Sequence, residues 1–148
     1  MIEIETYLRG SDGEFVQVDA CTARPADAYY VEGAMRIAIH GVEIIGVGEW
    51  DYIDQLWAYV SSMVPKLSAS GYASTYFPDQ PIELSFRRQG PRVVVSVKSG
   101  NDVKKASVSA SDLVAVLRGA GSAFFDKMSE LLPENAGAYS KARRELLS

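Results

Sequence analysis

The sequence predicts an α+β fold, an antiparallel sheet meander with two or three helices packed on one face. Three observations lead there. Several runs alternate apolar and polar residues with the period of a half-buried strand. Two longer stretches repeat apolar residues at i, i+3, i+4 and i+7, the stripe of an amphipathic helix. The strand-like runs are joined by short Gly- and Pro-containing turns rather than alternating one by one with helices, which favours hairpins over parallel crossovers.

The elements follow in order. Ile2, Ile4, Thr6 and Leu8 alternate with Glu3, Glu5, Tyr7 and Arg9 in a first strand, and Gly10-Ser11-Asp12-Gly13 turns the chain. Phe15 to Cys21 alternates again, with Val16, Val18 and Ala20 on one face; Arg24 to Asp27 breaks it. Tyr29 to Ile39 reads as a long strand with Val31, Met35, Ile37 and Ile39 on one side, and His40-Gly41 as a tight turn into Val42 to Ile45. Ile53, Leu56, Trp57, Val60, Met63, Val64 and Leu67 mark the first helix, which Pro65 should kink or end, leaving Ser68 to Gly71 as a linker. Ala73 to Phe77, Ile82 to Phe86, Val93 to Val97 and Val103 to Val108 form a second block of strands joined by tight turns. Ser109 to Asp112 has the hydroxyl-then-acid spacing of a capping box. It opens a second helix whose stripe runs from Leu113 to Leu131, through two unfavourable glycines, Gly119 and Gly121, to a stop at Pro133. Ala138 to Leu147 closes the chain as a short helix.

Composition narrows the class. At 148 residues, with 47% apolar and 23% charged residues, the chain is one domain able to bury a core without disulfides or metals. No apolar run approaches the roughly 20 residues that span a bilayer, and the acidic start from Met1 to Glu5 is unlike a signal peptide. The expectation is a cytoplasmic protein with no membrane partner. One Cys and one His rule out an internal disulfide and the multi-His or multi-Cys zinc sites. Net charge is −4, which argues against non-specific nucleic-acid binding. That value hides an asymmetry: eleven acids stand against three bases from Met1 to Asp54, and bases predominate after it. An acidic surface on the N-terminal part would steer a basic partner.

No motif carries a catalytic signature. Cys21 and His40 are the only nucleophile–base pair of the usual kind, and the plain reading is a packed thiol and a surface imidazole. Glu49, Asp51 and Asp54 hold oxygen ligands for a hard cation but lack the spacing of an EF-hand; they suit the positive end of the first helix. Gly46-Val47-Gly48 has part of the form of a phosphate-binding turn, with acids where a pyrophosphate would lie. Trp50, Tyr52 and Tyr59 beside these acids are partner anchors or sheet packing. Tyr76 to Pro81 is a stiff aromatic turn fit for recognition or for plugging the core edge. Arg87, Arg88, Arg92, Lys98, Lys104 and Lys105 form a basic block, and the only aromatic within it, Phe86, has core parity.

Trp50-Asp51-Tyr52-Ile53-Asp54-Gln55-Leu56-Trp57, the run from Tyr76 to Phe86, and Phe124-Phe125 followed by Pro133-Glu134-Asn135 resemble small uncharacterised bacterial proteins associated with toxin-immunity systems. The resemblance implies a protein that binds and blocks a toxin, and it assigns no residue a chemical role. The expectation is a binding module rather than an enzyme, with no cofactor and no metal. It would occlude a basic toxin domain through Glu49, Trp50, Asp51, Asp54 and Asp79, supported by Glu32 and Glu43. The alternatives are a self-associating module, such as a homodimer, and a small-ligand binder or enzyme with a pocket between sheet and helices.

Overall fold

A computed structural model describes all residues from Met1 to Ser148. The fold is α+β, and its strands divide into two antiparallel sheets. The first sheet holds β1 (Ile2–Arg9), β2 (Phe15–Gln17), β3 (Glu32–Ile39), β4 (Val42–Ile45) and the two-residue β5 (Asp51–Tyr52). Its order is β2-β1-β3-β4, with β5 on β3. The helix α1 (Ile53–Ser70) leads to the second sheet, a meander of β6 (Tyr72–Tyr76), β7 (Ile82–Gln89), β8 (Arg92–Ser99) and β9 (Asp102–Ser109). Then come α2 (Ala110–Leu131) and α3 (Ala136–Leu147). The chain thus runs twice through four main strands and into a helix.

Turn chemistry sets the hairpins. His40 and Gly41 both have positive φ, 51° and 80°, the signature of a type I′ turn whose twist matches the flanking strands. Gly90 and Gly100 supply positive φ at the first position of the β7–β8 and β8–β9 turns.

The two sheets share one core. Thirty-four buried residues form a single cluster that draws on both sheets and all three helices. The helix α1 packs on β3, β6 and β7; α2 packs on β1, β8 and β9; α3 lies across α1 and α2. Trp57 is fully buried, stacks on Phe124 and donates its indole N–H to Thr6 Oγ1 at 3.1 Å. That bond satisfies a polar group that burial would otherwise penalise.

Three local expectations are corrected. Pro65 neither ends α1 nor starts a linker: the helix continues to Ser70 and stops at Gly71, whose φ of 76° and N–H to Leu67 O make a left-handed cap. Burial of Val64 and Leu67 offsets the hydrogen bond that Pro65 lacks. The alternation from Phe15 to Cys21 does not make one long strand: β2 ends at Gln17, a 3-10 turn follows over Val18–Ala20, and Val16 faces solvent. The strand expected from Tyr29 starts at Glu32, leaving Tyr29 and Tyr30 exposed in a loop.

Candidate functional site

The site forms where β1, β3 and β5 end together. Tyr52 and Asp51 of β5 pair with Glu32 and Gly33 of β3. Only glycine fits at position 33, because a Cβ there would meet Tyr7 O at 2.2 Å and Ile53 Cγ2 at 2.7 Å. This close approach brings the start of α1 against the sheet, and the N–H of Ile53 donates to Val31 O at 2.9 Å.

Alternation then sorts the side chains. Tyr52 stands on the solvent face with Glu32, while Asp51 points inward and is 3% exposed. Asp51 Oδ1 accepts the N–H of Tyr52 at 2.7 Å, and its two oxygens accept the N–H of Asp79 at 3.1 and 3.2 Å. Gln80 Nε2 donates to Trp50 O. The β6–β7 turn is therefore fastened to β5, and the side chain of Asp79 is held at the surface.

Two adjoining hollows result. The smaller, about 250 Å³, is lined by Glu32, Trp50, Asp51, Tyr52, Asp79 and Gln80 together with Gly48. The larger, about 890 Å³, lies under the loop from Ala20 to Val31 and shares Glu32 and Tyr52 with the first. Arg24 pairing with Glu134, and Asn135 Nδ2 donating to Ala28 O at 2.8 Å, tie that loop to the end of α2. Arg9 lines the larger hollow: its guanidinium lies 4.3 Å from the Trp50 ring centroid and donates to Glu32 at 3.2 Å. Tyr30 packs on Tyr52 with ring centroids 5.2 Å apart. Burial pushes the Tyr52 phenol above its ordinary range, and the nearby carboxylates of Asp79 and Glu32 push it further. The rim thus sets aromatic rings beside carboxylates, that of Glu32 paired with Arg9 and that of Asp79 at the surface.

Four residues of the expected contact set meet here: Glu32, Trp50, Asp51 and Asp79. Asp51 belongs to the foundation, since its buried carboxylate faces backbone amides. The other three lie elsewhere. Glu49 faces Lys104 at 3.8 Å. Asp54 sits between α1 and α3, where it accepts the Tyr139 hydroxyl at 2.8 Å. Glu43 lies farther along the sheet, 2.8 Å from Arg36. Because Glu49, Asp51 and Asp54 point in three directions, they do not form one cation site.

Other sequence readings also resolve. The larger hollow opens at the strand ends, under the loop from Ala20 to Val31. Cys21 lies beside Gln17, opposite Tyr7 of β1, and His40 beside Met1, roughly 20 Å away along the strand and too far for a nucleophile–base pair. The Cys21 thiol lies 3.4 Å from Gln17 O, and burial raises its pKa, which keeps it protonated. His40 Nδ1 is 2.9 Å from the N-terminal amine. Gly46 meets the Glu43 carboxylate, an unsuitable neighbour for a phosphate. Sequence reasoning missed Arg9, Tyr30 and the loop wall, which the β1–β3 and β3–β5 pairings and the Arg24–Glu134 and Asn135–Ala28 contacts bring together.

No family model, curated protein or solved structure matches this chain. The chemistry of the rim itself is what bears on function.

Proposed function

We propose that the chain is a protein-binding module, a bacterial immunity protein that occludes a cognate toxin through the rim around Glu32, Trp50, Tyr52 and Asp79. The observation that carries this reading is the meeting of carboxylates and partly exposed aromatic rings around one hollow. Such a surface fits a basic partner: the carboxylates steer its approach, and the rings supply contact area at low conformational cost. Tyr29 and Tyr30, 80% and 57% exposed, extend the apolar contact beside it. The role is binding rather than catalysis, in the cytoplasm, with steric cover of the toxin's basic surface as the mechanism. Glu49, Asp54 and Glu43 are outside the contact.

The test is affinity capture from native lysate with wild type and Asp79→Lys as baits, washed at low and then high salt. A stoichiometric basic protein should remain on wild type, weaken with salt and be lost from the variant. Equal retention by both baits overturns the site.

The larger hollow supports a second reading, a small-ligand site. Its volume of about 890 Å³ falls in the range of ligand pockets, and Leu8, Val16 and Val31 line it beside Arg9 and Tyr30. A compound library should then contain members that raise the thermal midpoint with rising concentration, an effect that Val31→Trp abolishes.

A further inference from the structure

The solvent face of the second sheet gathers bases although the chain as a whole is acidic. Along β7 and β8 the buried residues are Ile82, Leu84, Phe86, Val93, Val95 and Val97, so the opposite parity points away from the core. The pairing register places Arg87, Arg92, Lys98 and Lys105 on that outward face, with Glu83 as its one acid. It also adds what the sequence did not reveal: Tyr72 and Tyr76 of β6 lie on the same face, opposite Arg87 and Glu83. Tyr76 is 61% exposed and Tyr72 39%. The Arg87 guanidinium lies 4.6 Å from the Tyr72 ring centroid. Between the two tyrosines and across the middle strands runs a low row of hydroxyls, Ser74, Ser85 and Ser96.

We propose that this face binds single-stranded nucleic acid. Two aromatic rings about 13 Å apart along one strand offer stacking positions for unpaired bases. Arg87 borders the Tyr72 ring, and Arg92 and Lys98 on β8 and Lys105 on β9 lie one and two strands farther across the face, where they meet phosphates. The serine row keeps the centre open and offers hydrogen-bond donors and acceptors to base edges. A duplex hides its base faces and leaves the tyrosines without a role, which selects the single strand. The placement is independent of the acidic rim, so either reading stands without the other.

The test is fluorescence anisotropy of a labelled oligouridylate of about 12 nucleotides titrated with the intact chain. Binding should weaken with salt at a log–log slope of about −3, as expected for up to four phosphate contacts on a single strand. Tyr76→Ala should lower affinity about tenfold and Tyr76→Phe should restore it, because a stacking ring is what counts. Lys105→Glu should lower affinity and flatten the salt slope. These positions are exposed, and an unchanged thermal midpoint verifies that each variant is folded. The proposal is overturned by no binding at low salt, by equal affinity for a duplex of the same length, or by a Tyr76→Ala variant that binds like wild type. Tight binding of polyglutamate that is indifferent to Tyr76 also overturns it, in favour of an acidic protein partner.

Discussion

Asp51 and Asp54 are three residues apart, and their carboxylates do different things. Asp51 accepts two backbone N–H groups in a buried position, so truncation would leave the amide of Asp79 without its acceptor. Asp51→Ala should cost about 1–3 kcal/mol in urea unfolding and free the β6–β7 turn; a smaller loss, with partner binding intact, would count against this anchoring role. Asp54 is a case of desolvation. Burial raises its pKa above the ordinary 3.8, opposed by the hydrogen bond from Tyr139. The unfolded carboxyl loses its proton first as pH rises. Above the unfolded value and up to the folded one, the native state holds the extra proton, so stability falls with rising pH across that window and is level above it. Asp54→Asn keeps an acceptor for Tyr139 without the charge. Its thermal midpoint should gain on wild type as pH rises from about 4, then the difference should hold constant toward neutrality. From sequence these acids are one cluster at a helix start. Their separation depends on the inward parity of β5 and on α3, neither of which local pattern specifies.

At the scale of elements, α2 contains a contrast between two glycines. Gly119 has open space around its missing Cβ. Gly121 does not: a Cβ there would lie 2.5 Å from Leu146 Cδ2 and 2.9 Å from Trp57 Cζ3, where α2, α3 and α1 meet. Gly119→Ala should therefore stabilise by up to about 1 kcal/mol through helix propensity, while Gly121→Ala should cost about 1–3 kcal/mol by overpacking. Urea midpoints of the two variants give the comparison, and equal shifts would refute the assigned packing. Sequence periodicity located α1, α2 and the strands β7 and β8 well, because each buries a regular stripe, and the Ser99–Asp102 turn located β9, which buries only Val108. It failed where burial is not periodic. Val16 alternates like a core residue yet faces the hollow, and Pro65 carries a local signal for a break that tertiary burial of Val64 and Leu67 overrides. The meeting of Glu32, Trp50 and Asp79 was partly legible as a run of acids and aromatics. The strand pairing that assembles it was not, because nothing local fixes which edge β5 joins.

At the scale of the molecule, the sequence asymmetry in charge becomes two differently charged surfaces. The first sheet turns Glu3, Glu5, Glu32 and Glu43 outward against Arg9 and Arg36, and the second turns its bases outward. Sequence showed the imbalance, yet the basic block read as lacking aromatics, since only register places β6 tyrosines beside it. Asp79 and Lys105 then offer separate handles. Asp79 adjoins the β6 edge and Lys105 stands on β9, three strand spacings or about 14 Å away. That exceeds the Debye length of about 8 Å at physiological salt and falls well inside the roughly 30 Å of 0.01 M salt. At physiological salt, Lys105→Glu should lower oligouridylate affinity and leave capture of the basic partner unchanged, whereas Asp79→Lys should slow that capture about tenfold. At low salt the separation should fade, and Asp79→Lys should strengthen oligouridylate binding because the added positive charge is then felt across the sheet. Stopped-flow association for the partner and anisotropy for the oligonucleotide read both arms. Coupling that persists at physiological salt would mean that the rim and the sheet face form one continuous binding surface rather than two.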